Sequence, residues 1–191
     1  MISTGLSGVS VQVNAADFTR AAEAFGLAPA AITAALRRSL LKTAITARKE
    51  IRMEIVRTER IPARIVNRRL MRYKRDPNGL QQKVWMGIWR VAAGRLGTPR
   101  AVRQGRRAGS VVVGRHVFPS AFTQPGNGYT KVMRRTAEGT EEVMVSFGES
   151  GAAALGRAHA AAEQRFPVVS AQEINFELQK LLGRIARRAA R

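Results

Sequence analysis

Few side chains in this 191-residue sequence could carry out chemistry, and they are not grouped. The two histidines, His116 and His159, lie far apart, and the chain has no cysteine, so a metal site lacks enough ligands at suitable spacing. Ser120 is not part of a Gly-x-Ser-x-Gly sequence, and no residue near it is an evident base. Neither glycine-rich segment has the pattern of a nucleotide phosphate loop. We therefore expect no enzymatic activity, no cofactor and no metal ion.

The sharper candidate for function is an arginine-rich segment at residues 94–109, which we call the basic loop. It has no helical or strand periodicity, which predicts a long loop, and a loop of this length in a small protein is usually functional or disordered. Two interpretations stay open: contact with phosphates without base readout, or an assembly loop that orders against an acidic subunit. The arginines of the basic loop are Arg95, Arg100, Arg103, Arg106 and Arg107.

A second group of arginines recurs at roughly helical steps between residues 60 and 75. A solvated face accounts for this group slightly better than direct contact with DNA. Its members that we retain as candidate contacts with DNA or a partner are Arg64, Arg68, Arg69 and Arg72.

The charge of the whole chain agrees with these candidates. It has 33 Lys or Arg and 13 Asp or Glu, a formal net charge of +20. Between positions 37 and 135 there are 25 basic and 4 acidic residues, a net charge of +21, whereas the rest of the chain has 8 basic and 9 acidic residues. The acids within the basic segment are spread out, unlike the clustered acids of a metal-dependent nuclease. A field of this sign attracts polyanions, either nucleic acid or an acidic protein surface.

The elements that must position these residues begin with helices. We predict a short strand at residues 10–14 and a short helix at residues 15–25 within an N-terminal arm of residues 1–28. A long helix is predicted at residues 29–60. Its length is roughly 45 Å at 1.5 Å per residue, and an apolar stripe runs along it. Because such a helix exceeds what one small sheet can cover, we expect Ile51 and Ile55 at a contact with another subunit. A short third helix is predicted at residues 63–70.

Strands are predicted through a sheet region at residues 71–147. Its members lie at 71–75, 83–89 and 141–147, with one hairpin at 110–135 joined through a turn-rich link at 124–128. Trp85 and Trp89 lie on one face of the second strand, which a neighbouring subunit could cover. A helix at 152–164 is predicted to end at Pro167, and a capping box at Ser170 predicts a separate final helix at 170–191. We expect a single domain of the α+β class, with a small, mainly antiparallel sheet packed against one long N-terminal helix, a C-terminal helix and a long basic loop.

One block of the sequence is motif-like. It runs Gly109-Ser110-Val111-Val112-Val113-Gly114, then Phe118-Pro119-Ser120-Ala121-Phe122-Thr123-Gln124, then Gly128 and Val132-Met133-Arg134-Arg135. This block resembles the minor tail protein Z family of tailed bacteriophages and prophages, which are tail completion proteins of the lambda type. The order of parts along most of the chain is similar too, including the basic segment at residues 61–70.

The resemblance implies a structural virion protein at the head-proximal end of the tail. Such proteins are tail completion or neck components that join tail to head where DNA passes. The partners implied are further copies in a homo-oligomeric ring, expected to be a hexamer, other tail, neck and connector proteins, and genomic DNA in non-specific contact. Assembly would take place in the host cytoplasm.

A second function from a different class stays open. The basic segment alone would also suit a free, non-specific nucleic-acid-binding protein, whose affinity for duplex DNA falls steeply as salt rises. Neither function involves a membrane, because no apolar run approaches the roughly 18 residues of a membrane span. The N-terminus also lacks the pattern of a signal peptide.

Overall fold

A computed structural model of the chain describes residues 3–5, 8–14, 29–74, 80–103 and 109–189. The helix predicted at 15–25, the turn predicted at 76–79, and Arg106 and Arg107 lie outside the described residues. None of the helices in the described ranges has the length and apolar character that a bilayer-spanning segment needs.

Two long helices dominate the fold. Helix α1 is Pro29–Glu59, as the sequence predicted, and helix α3 is Gly148–Ala189. The helices run antiparallel: Arg157 of α3 pairs with Glu54 near the end of α1, and Glu173 of α3 pairs with Arg38 near the start of α1. A short helix α2, Ala63–Arg69, follows α1 directly.

The strands form small antiparallel sheets, so the α+β class is confirmed. The largest sheet has the order β1-β2-β4-β3, with β1 at Ser3–Gly5, β2 at Gly8–Asn14, β3 at Leu70–Lys74 and β4 at Gln81–Gly87. A two-stranded sheet pairs β5, Val91–Ala92, with β12, Met144–Val145. A 3-10 helix, Ala93–Arg95, follows β5.

Two further sheets have three strands each. One has the order β6-β7-β8, with β6 at Pro99–Val102, β7 at Ser110–Val113 and β8 at His116–Pro119. The other has the order β11-β10-β9, with β9 at Ala121–Gln124, β10 at Lys131–Thr136 and β11 at Gly139–Glu142.

The main core joins the helices to every layer of strands. It includes Ile51 and Ile55 of α1, Met86 of β4, Val111 of β7 and Leu155 of α3, all of which are fully buried. The other end of the helix pair has its own apolar cluster, in which Phe166 of α3 packs with Ile32, Leu36 and Leu40 of α1. The stripe on α1 is therefore buried against Phe166 of α3 near its start, and in the main core with α3, α2 and the strands near its end.

The hairpin prediction for residues 110–135 was wrong in its pairing. β7 pairs with β8 through the tight turn at Gly114, and β9 pairs separately with β10, so two hairpins stand where one was expected. Gly114 and Ser120 both have positive φ, 58° and 55°. Gly114 lies in the tight turn between β7 and β8, and Ser120 lies where the chain passes from the sheet of β8 to the sheet of β9. The Asn-Gly signal does lie between paired strands, those of β9 and β10.

The basic loop also has more structure than predicted. Residues 93–95 form the 3-10 helix, and Pro99–Val102 is a strand that pairs with Ser110–Val113. This strand has only four residues and carries charge, which hides it from a periodicity argument. Only residues 104–108 of the basic loop lie outside the described residues.

The predicted break in the C-terminal helices is wrong as well. Helix α3 continues through Pro167 and has 42 residues in all. Pro167 and its neighbour Val168 are exposed, whereas Phe166 and Val169 are buried against the rest of the chain. Tertiary packing on both sides of the proline therefore outweighs the missing backbone donor. Ser170, predicted as a helix cap, is buried in the middle of the helix instead.

An ion cluster fastens α3 to α1. Glu173, only 7% exposed, accepts from Arg38 Nε at 2.7 Å and from Lys42 Nζ at 2.5 Å. Glu177 accepts from Arg38 at 2.7 Å and lies 3.5 Å from Lys180. The hydrogen bonds from Arg38 and Lys42 lower the pKa of Glu173, and burial opposes them only in part. The cluster satisfies two carboxylates that burial would otherwise destabilise.

We expect Glu173→Gln to lower the free energy of unfolding at pH 7 by about 1–3 kcal/mol, because two charge-assisted hydrogen bonds are weakened at a buried position. In the wild type this stabilisation is present above the ordinary glutamate pKa of about 4.3 and is lost as pH falls through the lower pKa of the folded state. Urea unfolding at pH 7 and at stepwise lower pH measures both effects.

The control is Glu163→Gln, on the exposed side of the same helix, with an expected change within about 0.5 kcal/mol. A deficit in Glu173→Gln that stays the same in acid would contradict this role, because a protonated glutamate resembles glutamine.

Candidate functional site

A cavity of about 640 Å³ is lined by four of the arginines named from the sequence. It lies between helix α2, the segment 91–99 and the loop 127–130. No carboxylate is among the described residues that line it. We call this cavity the arginine pocket, and its arginines are Arg64, Arg68, Arg69 and Arg95.

Helix α2 places three of these arginines on one side of the fold. Pro62 precedes the helix, and Val66 is fully buried, which fixes which side of the helix faces the core. Arg64 and Arg68 are four residues apart and therefore lie on one helix face, where both are exposed. The helical spacing of this group therefore holds for Arg64 and Arg68, whereas Arg72 lies on strand β3.

Arg69 is held by neutral partners. Its guanidinium donates hydrogen bonds to the backbone carbonyls of Trp89 and of Arg90, the second at 3.3 Å. It also lies over the ring of Phe147 at 5.3 Å and near the ring of Trp89 at 5.9 Å. Burial, together with the positive charge of Arg95, lowers the pKa of Arg69. The repulsion from Arg95 means that the pocket holds like charges close enough to interact.

Arg95 is held in a similar way on the opposite wall. Its guanidinium lies over the ring of Tyr129, 4.8 Å from the centroid. The Tyr129 hydroxyl donates to Glu142 at 2.7 Å, and this hydrogen bond is the main reason that the pKa of Tyr129 is raised. Arg64 donates to the backbone carbonyl of Arg95 at 3.5 Å, which links α2 to this wall. Rings and carbonyls therefore position three of the four guanidinium groups.

Close packing of two backbone segments shapes the floor of the pocket. Gly94 is buried, and a Cβ atom added there would lie far inside van der Waals contact with the carbonyl oxygen of Thr130. Only glycine lets the 3-10 helix approach the loop before β10 this closely. Arg95 and Tyr129 meet because of this approach.

The other predicted contact residues lie outside the pocket or outside the described residues, apart from Arg72, which lies on a strand. Arg100 on β6 and Arg103 just after β6 are exposed, and neither lines the pocket. Arg72 lies on β3, and Arg106 and Arg107 are outside the described residues. Two sequence groups that were considered separately, the helical arginines and the start of the basic loop, thus share one cavity.

The residues predicted at an oligomer interface divide into two sets. Ile51 and Ile55 are fully buried within their own chain, so their assignment to a subunit contact was wrong. The reason is that α3 covers the stripe on α1 for which a neighbour had been expected. Trp85 is half-buried and packs edge-to-face on Trp89, with ring centroids 5.5 Å apart. Trp89 is 52% exposed, and its contact with another subunit stays a prediction.

Sequence reasoning missed Tyr129, Gly94 and the supporting role of Trp89. Tyr129 follows the Asn-Gly turn directly, which identifies a loop but not its neighbour across the fold. Gly94 was visible only as one glycine among several in an arginine-rich segment. These residues are recognised only from the close approach of the backbone at Gly94 to the backbone at Thr130. That approach depends on pairing between strands that are distant in the sequence.

The other side chains that could take part in chemistry lie outside the pocket. Within the described ranges, no cluster of three or more His, Asp or Glu side chains could hold a metal ion. His159 lies 3.2 Å from Glu163, one helical turn away, and the ring of His116 stacks on Phe118. The pocket thus offers positive charge, aromatic surface and backbone polar groups as its means of recognition.

Comparisons of the chain with protein-family models, with curated protein sequences and with solved structures found no match. The interpretation of the fold and of the arginine pocket therefore rests on the geometry of this chain alone.

We expect Gly94→Ala to lower the free energy of unfolding by about 3 kcal/mol, because the new methyl group overlaps a backbone carbonyl that cannot move alone. The matched control is Gly156→Ala in the middle of α3, where nothing lies within 4 Å of the added methyl group. Alanine is expected to raise stability there by about 0.5–1 kcal/mol. Denaturant unfolding measures both changes, and a neutral Gly94→Ala would show that the two segments are not in contact.

We expect the pocket arginines to differ in their effect on stability. Arg69→Gln is expected to lower the free energy of unfolding by about 1–2 kcal/mol, because two carbonyls lose a charged donor and two rings lose a cation. Arg68→Gln is expected to change it by no more than about 0.5 kcal/mol, because Arg68 is exposed. Thermal unfolding compares them, and a larger loss in Arg68→Gln would contradict this assignment.

Proposed function

We propose that this chain is a structural virion protein of a tailed phage, a tail completion or neck component at the head-proximal end of the tail. In this role, copies of the subunit form part of a ring through which DNA passes, and the ring helps to join tail to head. The subunit carries out no reaction and acts through its surfaces.

The observation that carries the proposal is the arginine pocket on a well-packed subunit. Four arginines line a cavity to which the described part of the chain contributes no carboxylate. Arg100 and Arg103 extend the exposed positive charge along and beyond β6. A surface of this kind attracts the phosphate backbone of DNA or an acidic neighbour in an assembly.

The resemblance to the minor tail protein Z family supports the choice of a phage role. The motif-like residues occupy positions on which the fold depends: Val111 and Val113 are fully buried, and Phe118 and Ala121 flank the sharp corner at Ser120. A motif with this role is expected to persist among proteins that share the fold. The resemblance thus concerns residues that organise strands β7 to β10.

A free nucleic-acid-binding protein is the second candidate function. The excess of basic over acidic residues, 33 against 13, favours it without any reference to an assembly. Such a protein would be present in the cell and absent from purified particles. This difference in location separates the two functions better than DNA binding, which both would show at low salt.

Quantitative mass spectrometry of purified particles from the encoding phage or prophage tests the proposal. We expect the chain at a small, fixed number of copies per particle. A double variant, Arg64→Glu with Arg68→Glu, is expected to fold and yet leave tails unjoined to heads, because it reverses the charge at two exposed positions.

The matched control reverses two exposed charges on α3, Arg165→Glu with Arg184→Glu, and is expected to give joined, infectious particles. Absence of the wild-type chain from purified particles would overturn the proposed function. Joined particles from both double variants would show that the pocket is not the surface that assembly uses.

A further inference from the structure

The arginine pocket brings four arginines together without an acidic residue among the described residues that line it. On the two long helices, by contrast, some arginines pair with carboxylates: Arg57 and Arg157 with Glu54, and Arg38 with Glu173. Arg69 and Arg95 are positioned by carbonyls and rings instead. Within the described residues neither arginine forms a salt bridge, although Glu142 lies next to Arg95 through the Tyr129 hydroxyl.

These guanidinium groups are also preorganised. Arg69 donates to two successive carbonyls and lies over two rings, and Arg95 lies over Tyr129, whose hydroxyl is itself fixed by Glu142. A ligand that binds such groups need not immobilise long flexible side chains, and this reduces the entropic cost of binding. Planar guanidinium groups match the oxygens of an anion in bidentate geometry.

The size and lining of the pocket indicate more than a single bound ion. A volume of about 640 Å³ lies within the range of pockets that take small organic ligands, roughly 300–1,000 Å³. Ile65, Val91 and Tyr129 add apolar and aromatic surface beside the arginines. A ligand that carries anionic oxygens on an organic body uses both kinds of surface.

Phosphate fits this arrangement better than a carboxylate does. A phosphate monoester has a charge of about −1.5 to −2 and three strongly accepting oxygens, whereas a carboxylate has one charge and two oxygens. A backbone phosphodiester also has one charge, but successive nucleotides can bring several of these charges to one cavity. Four guanidinium groups around one cavity offer more donors than a single carboxylate has acceptors for. The repulsion between Arg69 and Arg95 is likewise offset most by the more highly charged group.

We propose that the arginine pocket is a binding site for a phosphate group, carried by a nucleic-acid backbone or by a free phosphate ester. Arg68 and Arg95 bind the phosphate oxygens, and Arg69 supplies fixed positive charge behind them. The proposal goes beyond the role in a virion and does not rest on it, since the site would bind phosphate in any assembly that contains this chain.

Isothermal titration calorimetry of the full chain at low salt tests the site. The ligands are pyrophosphate, a short single-stranded oligonucleotide with a 5′-hydroxyl end, and an oligoglutamate peptide of comparable charge. The variants are Arg68→Gln, which alters an exposed pocket residue, and Arg165→Gln, which removes the same charge from an exposed position on α3. Circular dichroism establishes that each variant keeps the helix content of the wild type.

We expect saturable binding of pyrophosphate that Arg68→Gln weakens about tenfold or more, because one charge-assisted contact is lost. Arg165→Gln is expected to bind within about twofold of the wild type, because it lies outside the pocket. Competition distinguishes the sources of phosphate: an oligonucleotide that displaces pyrophosphate identifies the nucleic-acid backbone, and one that fails to displace it identifies a free phosphate ester.

Three outcomes would overturn the proposal. One is the absence of saturable binding by either phosphate ligand. Another is equal weakening by Arg68→Gln and Arg165→Gln, which would mean that diffuse surface charge attracts the ligands. The last is tighter binding of oligoglutamate than of pyrophosphate, which would make the pocket a docking surface for an acidic protein. None of these outcomes depends on whether the chain is found in particles.

Discussion

The main constraint on this structure is that few carboxylates are available to pair with its basic side chains, since the chain has 13 acidic and 33 basic residues. Buried Glu173 and Glu177 hold α3 against α1 through Arg38 and Lys42, and Glu54 pairs with arginines at the other end of the helix pair. Within the described residues, these contacts place acidic groups where the two long helices meet. The arginines near α2 are held by carbonyls and rings, and four arginines line one cavity without an acidic residue among its described lining residues.

The helix pair and the pocket are coupled through the core. Val66 anchors α2 on the same core as Ile51 and Ile55, so the face that carries Arg64 and Arg68 points away from it. On the opposite wall, Gly94 lets the 3-10 helix pack against the backbone before β10, which brings Arg95 to Tyr129. The pocket therefore forms from segments more than sixty positions apart, and it requires the fold to be complete. A rigid, positively charged cavity on a folded subunit suits an assembly protein that contacts a polyanion.

Local signals in the sequence predicted what local interactions determine. The uninterrupted apolar stripe predicted α1 correctly, and the β-branched runs predicted strands such as β7 and β10, whereas β1, β5, β6 and β9 were not predicted. Signals that tertiary contacts outweigh were misleading: Pro167 lies within α3 because the residues around it are buried, and Ile51 and Ile55 pack on their own chain. The arginines of the pocket were among the candidate contact residues named from the sequence, but their meeting in one cavity was not predicted, because it depends on the pairing of β5 with β12 and of β6 with β7.

The central claim is that the arginine pocket holds positive charge which an anion stabilises. Thermal unfolding in phosphate and in chloride at equal ionic strength, for the wild type and for Arg68→Gln, tests this claim most directly. A ligand at 100 times its dissociation constant adds about 2.7 kcal/mol to the stability of the folded state. We predict that phosphate raises the melting temperature of the wild type by clearly more than that of the variant. Equal shifts in the two proteins would show a general effect of phosphate on folding and would contradict the claim.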